Sequence, residues 1–161
     1  MNFREMINSV VASARVQDVQ AAIRAAEGRG ATRWVAAQAG ISQRTARRWL
    51  SSNPPRSRVT ALIGLIDTTS IAAYRIRGAE SISVGTVGVA YDDQDEGSRN
   101  IGDMDVDSDM ASALAHAAEA LESGDWAAAE DWFSDAVIMG YSPGLEETLD
   151  IADYASGVHL R

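Results

Sequence analysis

The residues best suited to chemistry on another molecule are Gln43, Arg44, Arg47 and Arg48. If Gln43 to Leu50 is helical, these four share one side, while Ala46, Trp49 and Leu50 share the other. A Gln amide can pair in bidentate fashion with adenine and an Arg guanidinium with guanine, each worth roughly 1–3 kcal/mol of discrimination. Gln43, Arg44 and Arg47 are therefore assigned to base edges, with Arg48 beside them on the same face. Thr32, Ser42 and Thr45, hydroxyl residues at the starts of two short helices, are counted with the same DNA-facing set.

Two helices must position this face. Thr32 is expected to cap the first, whose inner positions are Val35, Ala36 and Ala39. Small Ala36 permits a close crossing, Gly40 supplies the positive φ of the turn, Ile41 fills the gap and Ser42 caps the second helix. This is the layout of a helix-turn-helix, the alternative being an ordinary helical hairpin with a polar surface.

Upstream, residues 3 to 13 and 17 to 27 are rich in Ala, Val and Arg and should form helices that cover its back. Downstream, Asn53-Pro54-Pro55 ends the second helix. A further helix begins near Arg56, with Val59, Leu62, Ile63 and Ile66 at helical spacing, followed by a segment from Ile71 to Ile76. Arg56 and Arg58 are assigned to the DNA backbone, and Arg24, Arg29, Arg75 and Arg77 are either further contacts or solvated side chains.

The net charge of −9 hides a segregation. Residues 1–78 carry twelve Arg against Glu5, Asp18, Glu27 and Asp67, a charge of +8, whereas residues 79–161 carry two Arg and nineteen acids, −17. The expected division is a basic, all-helical DNA-binding domain over 1–78 and an acidic partner domain over 79–161. In the second, Ile82 to Tyr91 reads as a strand with Ile82/Val84 and Val87/Val89/Tyr91 in opposite phases, so a bulge near Gly85 or burial on both faces is expected. A turn from Asp92 to Gly97, a strand from Asn100 to Val106, two helices and a strand from Thr148, running on as far as Leu160, complete a ββααβ order. The fold class is α+β. Ile82 and Val84 would lie on a wet sheet face, and a homodimer through 79–161 would cover them; a monomer with a partly polar sheet face is the alternative.

Other chemistries fare poorly. Without cysteine there is no disulfide framework, thiolate nucleophile or zinc finger. Asp92 to Gly97 matches a calcium loop badly, and Asp103, Asp105, Asp107 and Asp109 read as a solvated strand edge with a helix cap. His116 and His159 have no sequence partner. No cofactor, metal or enzymatic activity is expected, and no apolar run approaches a membrane span. A cytoplasmic, nucleoid-associated location follows as an expectation.

The run Gly40-Ile-Ser-Gln-Arg-Thr-Ala-Arg-Arg-Trp49 resembles the motif of the telomere-associated terminal proteins of actinobacterial linear chromosomes and plasmids, the Tpg family. The order of later elements, ending in Asp150-Ile-Ala-Asp-Tyr154, extends the similarity over roughly residues 22 to 160. The resemblance implies binding to terminal or palindromic DNA, a replication or telomere partner, and covalent attachment to a DNA 5′ end through a hydroxyl. Ser98 is the hydroxyl at the matching place in the hairpin loop, where there is no Thr, and the charge of −17 departs from a family that is basic throughout. The reading is thus sequence-specific double-stranded DNA binding, with protein-primed replication, a repressor or a partition protein as alternatives. A further possibility is that the acidic half acts as a DNA mimic or takes a basic partner.

Overall fold

The computed structural model describes the chain except for positions 52, 55, 92, 93, 146–148 and 155–157, and the side chains at 56, 91, 94–96, 149, 150, 152 and 153. Helices and an antiparallel sheet are combined, an α+β arrangement. Helices α1 (Phe3–Ala12), α2 (Val16–Glu27), α3 (Ala31–Ala39), α4 (Gln43–Ser51), α5 (Arg56–Leu65) and α6 (Thr68–Arg77) come first. Strands β1 (Ser81–Tyr91) and β2 (Gln94–Asp105), helices α7 (Ser108–Ser123) and α8 (Trp126–Tyr141), and strands β3 (Leu149–Tyr154) and β4 (Val158–Leu160) follow.

Local sequence fixes most helix ends. Asn2 and Glu5 close a reciprocal capping box on α1, each backbone N–H donating to the other's side chain at 2.9 Å. Asp107 accepts from the N–H groups of Asp109 and Met110 at the start of α7, and Asp125 does so from Ala128 at the start of α8. Gly140 does not end α8, which runs on to Tyr141. It is a point of close approach instead: a Cβ there would stand 2.7 Å from Met104 Sδ and 2.9 Å from Met110 Cε, so glycine lets α8 press onto β2 and α7 together.

The sheet order is β2-β1-β3, with β4 also on β1. Val87 to Tyr91 pair with β3, and Ile82 to Val84 pair with β4, so the two last strands line the same central strand. The hairpin is longer than its composition suggests. β2 begins at Gln94 rather than Asn100, because Tyr91 already pairs with Gln94 and the ladder overrides the low strand propensity of the Asp, Glu and Gly residues there. Only Asp92 and Asp93 remain between the strands, and they lie outside the described residues.

No register shift occurs at Gly85; the β1–β2 pairing shifts between Val89 and Ala90 instead. Gly102, opposite Val84, takes φ +84°, a conformation costly to any residue with a Cβ. Ile82, Val84, Val87 and Val89 are all buried within the one chain. The intervening positions Ser81, Ser83, Thr86 and Gly88 pair with Asp105, Asp103, Asn100 and Ser98. The premise that Ile82 and Val84 need a second copy to cover them is thereby overturned.

The change of charge at residue 79 coincides with the link from α6 to β1, yet the buried cluster runs across it. Phe3 of α1 meets Trp126 edge-on at 6.5 Å and Phe133 at 5.8 Å, both on α8. The buried face of α6, Ile71, Ala72, Ala73 and Ile76, belongs to the same core, and α6 packs on α7. Among the described residues, no single helix is long and apolar enough to cross a membrane.

Candidate nucleic-acid interface

Helix α3 starts at Ala31, two residues earlier than a Thr32 cap would allow, because a 3-10 turn over Gly28–Gly30 feeds into it and Gly30 holds the cap position without a side chain. Thr32 lies inside the first turn, half-buried. At the other end Gly40 takes φ +63°, ψ +37°, the left-handed conformation that stops α3. Ser42 Oγ accepts from the Thr45 N–H at 3.1 Å and exchanges a hydrogen bond with Thr45 Oγ1 at 3.0 Å. Both hydroxyls are thus tied to the start of α4, and Ile41 packs partly buried against the core.

Helix α4 is strongly two-sided. Ala46, Trp49 and Leu50 are buried, while Gln43, Arg44, Arg47 and Arg48 are exposed. Among the described residues, nothing accepts a hydrogen bond or ion pair from the guanidiniums of Arg44 and Arg47, whereas Arg48 has an interaction within the chain. From residue 28 to residue 66 there is not one Asp or Glu, and the stretch holds Arg29, Arg33, Arg44, Arg47, Arg48, Arg56 and Arg58. Among the described residues, none of Arg29, Arg33, Arg44 and Arg47 is ion-paired, the electrostatic setting a polyanion requires.

The orientation of α4 depends on two residues of α2 that periodicity alone did not single out for this role. Gln20 Nε2 donates to the Trp49 carbonyl at 2.7 Å, and Arg24 Nη2 donates to the Leu50 carbonyl. Both carbonyls are at the C-terminal end of α4, where backbone acceptors have no partner within the helix. Gln20, only 6% exposed, is the one signal available in the sequence: a long polar side chain directly beside the inward Val19. Arg24 thus acts as a cap for the neighbouring helix.

The other arginines expected to meet DNA differ in their surroundings. Arg58 lies with its guanidinium 5.3 Å from the Trp49 ring centre, tacking α5 to α4. The Arg56 side chain is outside the described residues. Arg75 is not part of a positive surface. Its Nη1 donates to the Val10 carbonyl at 2.6 Å and Ser13 Oγ at 2.9 Å, its Nη2 to the Leu160 carbonyl at 2.9 Å, and its Nε lies 3.7 Å from Asp18 Oδ2. Burial lowers its pKa, and Asp18 pushes in the opposite direction. Arg77 pairs with Glu122 of α7 in a fork of 2.8 and 3.2 Å, and that hydrogen bonding raises its pKa.

Ser98 is not in a loop; it sits in β2 opposite Gly88, exposed, and among the described residues no carboxylate or imidazole reaches its hydroxyl. Tyr154, the aromatic end of the Asp-Ile-x-x-Tyr segment, is 1% exposed, and burial drives its phenol pKa upward. Neither a DNA end nor a base can reach that hydroxyl.

Set against models of known protein families, curated proteins and solved structures, the chain matches none.

Proposed function

We propose that the protein binds double-stranded DNA in a sequence-dependent way, with α4 lying in the major groove and α3 crossing the backbone. The observation that carries this reading is the exposed pair Arg44 and Arg47 of α4, neither of which has a partner among the described residues, set on a helix whose opposite side is locked by Trp49 and Leu50 and whose end is held by Gln20 and Arg24. A rigid helix presenting donors with no internal acceptor is what direct readout of base edges requires. Arg44, near the helix start and without a partner among the described residues, is the leading base reader, with Gln43 beside it.

The resemblance to terminal proteins supplies a narrower version in which Ser98 becomes joined to a DNA end. That version has the exposure of Ser98 in its favour and lacks a neighbouring base among the described residues. Site-specific binding without covalent linkage is the reading put forward. Two copies on an inverted repeat would need a contact other than Ile82 and Val84, which are already buried in one chain.

Selection of bound fragments from random DNA, followed by titration of the winning duplex, tests the proposal. Arg44→Ala should lower affinity for that duplex by about 1–3 kcal/mol and relax preference at one base pair. If selection enriches nothing and binding to bulk DNA does not weaken with added salt, the reading fails.

A further inference from the structure

Between the 3-10 turn, the first turn of α3 and the start of α4 lies an open cavity of about 480 Å³, lined by Arg29, Gly30, Thr32, Arg33, Gln43 and Arg47. Three of its six lining residues are arginines, and among the described residues none of them has a hydrogen-bond acceptor or an ion-pair partner. No carboxylate lines it. Guanidiniums from separate elements, converging on one hollow, repel one another unless an anion sits between them. The remaining walls, the Thr32 hydroxyl and the Gln43 amide, are hydrogen-bonding groups as well, and Gly30 leaves the entrance open, since a Cβ there would meet nothing within 4 Å. Multiple planar donors around a polar hollow match a tetrahedral oxyanion.

We infer that this cavity seats one phosphodiester of the DNA backbone, held by Arg29, Arg33 and Arg47. The inference rests on the DNA-binding reading above and refines it. It moves Arg47 from base reading to backbone clamping, and divides α4 into two rows: Gln43 and Arg47, four residues apart, turn to the cavity, while Arg44 is left to read sequence. Arg29 and Arg33, which lie outside the helix that faces the bases, become part of the interface. The clamp fixes the depth and register of α4, because phosphate contacts position a reader without themselves carrying sequence information.

The test measures the full-length protein on two probes, the selected duplex and the unselected random-sequence pool, across a range of salt concentrations. Arg33→Ala and Arg47→Ala, each checked for unchanged circular dichroism, should lower affinity equally on both probes. Each should reduce the salt slope by about 0.9, which amounts to roughly eightfold between 1 M and 0.1 M salt. Replacing single phosphates of the selected duplex by neutral methylphosphonates should reveal one position that weakens the wild type and has no effect on Arg47→Ala. Loss confined to the selected duplex with an unchanged slope would return Arg47 to base reading and overturn the clamp. Unchanged binding by both variants would overturn it too, and so would the absence of any methylphosphonate position whose effect is lost in Arg47→Ala. Because the unselected pool reads the cavity without any preferred sequence, failure of the clamp and failure of sequence-specific recognition give different results.

Discussion

The chain uses arginine in two opposite ways, and the contrast between the α3–α4 surface and the seam where α1 and α6 meet the acidic half shows what each use requires. In the seam, Arg75 bridges three segments far apart in sequence, reaching carbonyls at Val10 and Leu160 and the Ser13 hydroxyl, and Arg77 ties α6 to Glu122 of α7. On the α3–α4 surface, Arg29, Arg33, Arg44 and Arg47 find no acceptor among the described residues. A guanidinium offers five donors. Where the fold supplies acceptors, the residue becomes structural; where acids are absent over a long stretch, the donors remain available to a ligand.

That comparison can be broken by stability measurements, in descending order of effect. Arg75→Ala should be the most damaging, lowering unfolding free energy by roughly 2–4 kcal/mol, because two part-buried carbonyls and Asp18 lose their partner together. Chemical denaturation measures the loss, and DNA affinity per folded molecule should not change. A change below half a unit of kcal/mol would mean that Arg75 is as idle as the surface arginines.

Gln20→Ala comes next. It leaves the Trp49 carbonyl unpaired at the end of α4 and should cost about 1–3 kcal/mol of stability. It should also weaken binding of the selected duplex, since the reading helix loses its anchor, and that double readout sets it apart from Arg75→Ala. Stability lost with affinity intact would show that α4 keeps its orientation without α2.

Arg77→Ala is expected to matter least, about 0.5 kcal/mol, because both partners are 44% exposed and water already solvates them. The loss should shrink further as salt is added. A loss that persists at high salt would place the pair in a drier setting than its exposure indicates.

The extent to which the sequence disclosed these roles follows the distance over which each interaction acts. The Gly40 turn, the Ser42 cap and the inward set Ala46, Trp49 and Leu50 were legible because every partner is within a few residues, where spacing encodes geometry. The start of β2 was hidden because strand pairing, not the composition of Gln94 to Gly97, determines it. Thr32 was misjudged as a cap because a 3-10 turn through two glycines extends the helix backwards, and nothing in a Ser/Thr signature registers that.

By itself, then, the amino-acid sequence determined a basic, acid-free helix-turn-helix pattern, an α+β composition and the face of α4 that looks outward. Only the tertiary structure decided which arginines remain available to a ligand. Arg24 finds its acceptor 26 residues away, Arg77 at 45 and Arg75 at 85, and for Arg24 and Arg75 those acceptors include backbone carbonyls, which every residue carries and no sequence pattern marks.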